Sequence, residues 1–163
     1  MGTGKSSVGR LVADALRFGF LDTDELIEKR AGKSINRLFE QDGEPAFREQ
    51  ERQVISELRN QTSVVISTGG GVGASETNLA SLKEHALVVC LWASPQIIWN
   101  RVRLQTHRPL LQTAQPEEKI RELLALREPF YRQADILLNT EVRSAKEVAQ
   151  HVVHEFHFAT RSR

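Results

Sequence analysis

Cysteine, methionine and tyrosine each occur once in this 163-residue chain, and aromatic residues make up only 6% of it. A single thiol, Cys90, excludes an intramolecular disulfide framework and fits a reducing, cytoplasmic setting. Inside the apolar run ALVVCLW it reads as a small buried hydrophobe. Neither sign of charge dominates: 22 Lys and Arg stand against 21 Asp and Glu, a formal net charge of +1. No overall field therefore argues for nucleic acid or a membrane surface as partner, although a local basic cluster can still hold phosphate. No apolar stretch approaches membrane-spanning length, and the glycine-rich, then amphipathic start is no secretory leader. What remains is a globular balance, 40% hydrophobic and 26% charged, of a length that suits one domain over residues 1–163.

Element signals alternate. GKSSVGRLVADALR is an amphipathic helix, FGFLD a short strand, and DELIEKRAG a helix ending near Gly32. SINRLFEQDG is helical from an N-cap at Ser34 to a stop at Gly43, and EPAFREQERQVISELRN continues as a longer helix. VVIST is an apolar, β-branched run that suits a buried parallel strand. SETNLASLKEH is a helix and ALVVCLW another buried strand. SPQIIWNRVRL is a helix opened by Ser94 as cap and Pro95 in the first turn. QTHRPLLQTAQ is a loop, PEEKIRELLALREPFYRQA a helix, DILLN a strand and SAKEVAQHVVHEF a last helix. Strands alternating with helices predict an α/β fold around a parallel sheet.

Several stretches carry chemistry. In MGTGKSS, Gly4, Lys5 and Ser6 match the second half of the phosphate-binding pattern G-x-x-x-x-G-K-[ST]. Backbone N–H groups from Gly2 to Ser7, including Thr3, can cradle an anion. Lys5 can reach outer phosphates and Ser6 a magnesium ion, with the helix dipole behind them. The bland alternative is a glycine turn before an ordinary helix. FLDTDELIE sets Asp22 and Asp24 at a strand end, where α/β enzymes place ligands. If extended, the pair faces one side, yet alone it reads first as a helix cap at Asp24. The run Gly69, Gly70 and Gly71 after VVIST is costly in backbone entropy and implies close approach of backbone to a ligand. Arg48 and Glu51 of EPAFREQE share a helix face, which alone reads as a surface ion pair. Arg108 of THRPLL and Arg127 of LREPFY are each unremarkable singly. His151, His154 and His157 recur every three residues, a conceivable metal stripe that reads better as a plain terminal helix.

Taken in order, GTGKS, LDTD, FREQE, a strand ending in GGG, THRPLL and LREPFY closely resemble the shikimate kinase family. These are P-loop kinases of the nucleoside-monophosphate-kinase type, and the resemblance runs over nearly the whole chain. It implies a three-layer α/β/α fold whose central parallel sheet has five strands in the order 2-3-1-4-5. It implies ATP and Mg2+ as cofactors, shikimate as acceptor, no nucleic-acid or membrane partner, a monomer, and a place in aromatic amino acid biosynthesis through chorismate. By the same resemblance, Lys5 and the backbone of Gly2 to Ser6 hold the β- and γ-phosphates, and Ser6, with Asp22 behind it, serves the metal. Asp24 meets the shikimate 3-hydroxyl as base. Arg48 and Arg127 clamp its carboxylate with Gly69, Gly70 and Gly71, and Glu51 steadies Arg48. Residues 24–61 form the substrate-binding region, and residues 103–115 a lid carrying Arg108 to the phosphates. Arg101 and Arg143 flank the adenine.

A gluconate-type kinase would share GKS and the fold, but not the joint FREQE, GGG and LREPFY set. A nucleotide-binding remnant is the rival of another class, because the first family strand and the front of the phosphate loop fall before Met1. The expectation here is that Met1 is an internal methionine of a longer protein, about ten upstream residues sufficing for strand and half-loop. A chain truly starting at Met1 would fold poorly or bind nucleotide weakly, with two strands lacking ladder partners.

Overall fold

The computed structural model describes residues 2–104, 111 and 113–161. Among them are four strands and seven α-helices. Helix α1 (Lys5–Leu16) leads into β1 (Gly19–Asp22), α2 (Thr23–Ala31) and α3 (Ile35–Leu58). Next come β2 (Val64–Ser67), a 3-10 turn (Val72–Ala74) and α4 (Glu76–Lys83). The chain then forms β3 (Val89–Trp92), α5 (Pro95–Val102), α6 (Pro116–Tyr131), β4 (Ile136–Asn139) and α7 (Ala145–Arg161).

The two helices expected on either side of Gly43 form one continuous run, α3, which breaks its geometry at Gly43 (φ 80°, ψ 170°). Only glycine adopts that backbone freely, and Pro45 then restarts the helix in its first turn. Ser34 caps α3 as expected, accepting from the Arg37 N–H. Ser144 and Glu147 close a reciprocal box at the start of α7, each satisfying a backbone N–H of the other. Ser94 stands at the N-cap of α5 without a side-chain cap bond. Its N–H instead donates to Glu141 (2.6 Å), which holds that exposed carboxyl below its usual range.

The parallel sheet is present as two pairs, β1–β2 and β3–β4, with no ladder joining β2 to β3 among the described residues. One apolar layer nevertheless backs both pairs. Val8 and Val12 of α1 and Val148 and Ala149 of α7 pack with Leu91 and Leu138, and Val65 of β2 and Val89 of β3 touch the same cluster. On the opposite face Leu21 and Ile66 meet Ile27 of α2 and Leu38, Phe47, Val54 and Leu58 of α3. A further cluster joins α5 to α6 through Ile98, Val102 and Ile120. This is the expected helix–sheet–helix layering.

The run ALVVCLW is less buried than expected: Cys90 is half-buried and Trp92 is 36% exposed. Strand alternation explains it, since Val89 and Leu91 take the face toward α1 and α7, and Cys90 and Trp92 the other. No helix among the described residues is long and apolar enough to cross a membrane.

Candidate active site

The C-terminal ends of β1 and β2 bring most of the predicted site residues to one place. Gly4, in the left-handed region (φ 88°), turns the chain into α1, whose first turn carries no acidic residue and no side-chain cap. Gly2 also has positive φ (65°), and a Cβ there would lie 2.8 Å from Val102 Cγ1. Glycine is required at both positions. Ser6 donates to Asp22 Oδ2 (2.8 Å) and lies 3.3 Å from the buried Ser67 hydroxyl.

Asp22 and Asp24 are not two residues of one strand. Asp22 ends β1, whereas Asp24 lies in the first turn of α2, and the cap of that helix is Asp22, not Asp24. Asp22 Oδ1 accepts the Asp24 N–H (3.0 Å) while Oδ2 faces Ser6. One carboxylate thus fixes the helix start and the phosphate loop together.

Beside it opens a cavity of about 350 Å³ whose lining includes Asp22, Asp24, Arg48, Glu51, Arg127 and the three glycines. Arg48 and Glu51 do not form a surface pair: Glu51 is 1% exposed. Arg48 Nη1 donates to Glu51 Oε2 (2.5 Å), and its Nε and Nη2 donate to Glu44 Oε1 (3.1 and 2.7 Å). Burial pushes the Glu51 carboxyl up despite Arg48, with Asp24 adding to the push. For Arg48 burial acts downward, but the Glu51 and Glu44 carboxylates outweigh it and the guanidinium is raised. Both groups move up for different reasons: desolvation wins at Glu51, which is almost wholly withdrawn from water, and the carboxylate partners win at Arg48, which is not. Arg127, on α6, is only 9% exposed.

Gly69 acts chiefly by lacking a side chain. Its N–H is already taken by the fully buried Thr23 hydroxyl (3.1 Å). A Cβ on it would fall 2.8 Å from Asp24 Oδ1 and 3.0 Å from Glu51 Oε1. Gly71 abuts Arg48 so closely that a Cβ would stand 2.0 Å from Nη1. The Gly70 carbonyl accepts from the Tyr131 hydroxyl (2.7 Å).

The predicted adenine neighbours lie farther along the sheet. Arg101 donates to Thr140 Oγ1 (3.0 Å), to the Thr140 carbonyl (2.6 Å) and to the Gly2 carbonyl (3.4 Å), joining α5 and β4 to the phosphate loop. Arg143 is exposed and donates to the Asn139 carbonyl (3.4 Å). Arg108 lies outside the described residues, as does most of the 103–115 lid segment. The histidine stripe holds no metal cluster: among the described residues no group of three or more His, Cys, Asp or Glu is poised for one, and His151 faces Glu155 at 3.5 Å.

Sequence reasoning missed Thr23, Glu44, Ser67, Tyr131 and Thr140. Two signals were available: the i, i+4 spacings of Glu44 to Arg48 and of Arg127 to Tyr131. The partners of Thr23, Ser67 and Thr140 are brought near only by the fold.

A family model described as shikimate kinase matches residues 1–157. A shikimate kinase of Thermodesulfovibrio yellowstonii is 44% identical over 156 residues, 96% of this chain and 90% of that protein. One of Pseudomonas fluorescens is 44% identical over 149 residues, 91% of this chain and 87% of that protein. Among solved structures, shikimate kinase from Acinetobacter baumannii in complex with shikimate superposes with a TM-score of 0.93 at 37% identity, covering 98% of this chain and 89% of that one. The Aquifex aeolicus enzyme gives 0.85 at 34% identity, over 98% and 94%. Sequence and fold agree, and the chain belongs to the shikimate kinase family.

Proposed function

We propose that this chain transfers the γ-phosphoryl group of ATP to the 3-hydroxyl of shikimate, giving shikimate 3-phosphate and ADP. The observation that carries this reading is one cavity lined at once by two guanidinium groups, Arg48 and Arg127, and by the Asp24 carboxylate. A small polyhydroxylated acid needs both: planar forks for its carboxylate and an acceptor for the proton of its reacting hydroxyl. A gluconate kinase also takes an acid, but the pairing of buried Arg127 with half-buried Arg48, itself held by two carboxylates, fits a ring-borne carboxylate held at fixed distance from the hydroxyl.

In this reading the phosphates lie on the N–H groups at the start of α1, where Lys5 offsets their charge and Ser7 adds a first-turn N–H. The acceptor oxygen attacks the γ-phosphorus, the bond to the β,γ-bridging oxygen breaks, and the hydroxyl proton passes to Asp24. Arg127 and Arg48 hold the acceptor carboxylate, and Glu51 and Glu44 keep Arg48 extended toward it. Arg101 and Arg143 border the base, and Arg108 of the 103–115 segment adds charge at the phosphates.

The hydroxyl of Ser6 and the carboxylate of Asp22 form the all-oxygen donor set that suits Mg2+, which keeps its remaining positions for phosphate and water. The ion, when bound, supplies charge neutralisation at the phosphates. The reading extends to a monomeric, cytoplasmic enzyme acting as one unit. Coupled ADP-release assays on shikimate and gluconate test it, with 31P NMR locating the new ester. Turnover of gluconate and none of shikimate would defeat it.

A further inference from the structure

Three glycines in succession make the segment of the pocket wall with the greatest intrinsic freedom. Two side chains restrain it from different elements. Thr23 takes the Gly69 N–H, and Tyr131, from the last turn of α6, donates to the Gly70 carbonyl at 2.7 Å. The tyrosine does not line the cavity. Its ring rests beside the following turn, where a Cβ on Gly73 would meet it at 3.5 Å. Burial pushes the phenol up while Arg127, one helical turn back, pulls against it, so the group remains a donor at neutral pH.

The peptide geometry gives this bond a consequence beyond packing. No peptide bond among the described residues is cis. In a trans unit the carbonyl and the next N–H point in opposite directions. Holding the Gly70 carbonyl toward α6 therefore turns the Gly71 N–H away from it. Gly71 is the residue that abuts the Arg48 guanidinium, while Arg127 enters the same cavity from α6.

We propose that Tyr131 is a positioning residue for acceptor recognition, locking the Gly70–Gly71 peptide to α6 so that the loop N–H, Arg48 and Arg127 address one carboxylate. The proposal rests on the reading of the cavity as the acceptor site. Tyr131 acts through the loop, from outside the cavity's lining.

The test begins with wild-type turnover of ATP and shikimate, whose absence would strike the functional reading rather than this one. Given turnover, dissociation constants for shikimate and for ATP are measured calorimetrically for wild type and Tyr131→Phe. The expected result is about tenfold weaker shikimate binding, the worth of one well-placed hydrogen bond. ATP affinity and kcat at saturating shikimate stay within about twofold of wild type by the same reasoning. Unchanged shikimate affinity, or equal loss for both substrates, overturns the proposal.

Because Tyr131 is the chain's one tyrosine, fluorotyrosine labelling of the otherwise unaltered protein gives a second, independent readout should the Phe variant fail to fold. A 19F shift on adding shikimate, and none on adding ATP alone, is expected. No response to shikimate overturns the proposal equally.

Discussion

The two halves of the site are held by different means. On the proposed acceptor side three groups are fixed by side chains: Arg48 by Glu44 and Glu51, Gly69 by Thr23, Gly70 by Tyr131. On the proposed nucleotide side the backbone itself shapes the loop, through positive φ at Gly2 and Gly4 and an uncapped helix start. The arginines there, Arg101 and Arg143, are exposed. The contrast is a division of labour. If the pocket takes a small, specific acid as proposed, its groups are preorganised, so its selectivity is built before the ligand arrives. The loop at the start of α1, on the same proposal, reads a common anion mainly through backbone N–H groups.

Substitutions can break or sharpen that contrast. The largest effect is expected from Asp24→Asn, which removes the proposed proton acceptor and should lower kcat by about 10²–10⁴-fold with little change in ATP affinity. Rapid-quench kinetics with a direct shikimate-binding measurement would check it. Next comes Gly71→Ala, whose methyl group would occupy the position 2.0 Å from Arg48 Nη1. Displacing that guanidinium should raise the shikimate KM roughly 10–100-fold, the worth of a charge-assisted bond, while sparing the ATP KM. Equal damage to both would dissolve the distinction between the halves.

Glu51→Gln should move stability and binding in opposite directions. The Glu51 carboxyl is raised above its reference of 4.5 by burial first. A group raised in the folded state contributes stability that is fully present below its unfolded pKa and lost as pH rises through the folded one. Gln does not titrate, so urea melts should show the variant gaining on wild type as pH climbs above 4.5. Shikimate affinity should nevertheless fall several-fold, roughly the loss of a charged partner for Arg48. The smallest effect is expected from Arg101→Ala. Its bonds to Thr140 and Gly2 are partly exposed, so the ATP KM should rise only about three- to tenfold, with shikimate binding unchanged.

Much of this was legible in the sequence because it rests on local rules. The alternation of helix and strand, the Ser34 cap and the break at Gly43 follow from periodicity and backbone preference. Gly4, Lys5 and Ser6 suggest an anion site as half of a phosphate-binding pattern, and it takes the α/β context and the downstream motifs to raise that reading above a plain glycine turn. The DxD pair was legible in place but not in form. Spacing could not reveal that the strand ends between the two aspartates, which makes Asp22 the cap. Arg48 and Glu51 looked like a surface pair because sequence separation fixes a shared face but not what covers it. Burial under the glycine loop and Arg127 comes from elements far along the chain. Tyr131 and Thr23 were invisible as loop anchors for the same reason, since each is defined by a partner more than forty residues away. Among the described residues the sheet is present as two pairs, and α1 and α7 back both of them.

The central claim is that a preorganised pair of arginines selects an acid whose hydroxyl receives the phosphoryl group. The most direct measurement is kcat/KM for shikimate against its neutral carboxamide, in wild type and in Arg127→Ala. The account predicts that wild type prefers the acid by about 100-fold or more and that the variant narrows this to under about tenfold, the scale of one lost charged hydrogen-bonding partner. Wild type using acid and amide equally well would contradict it.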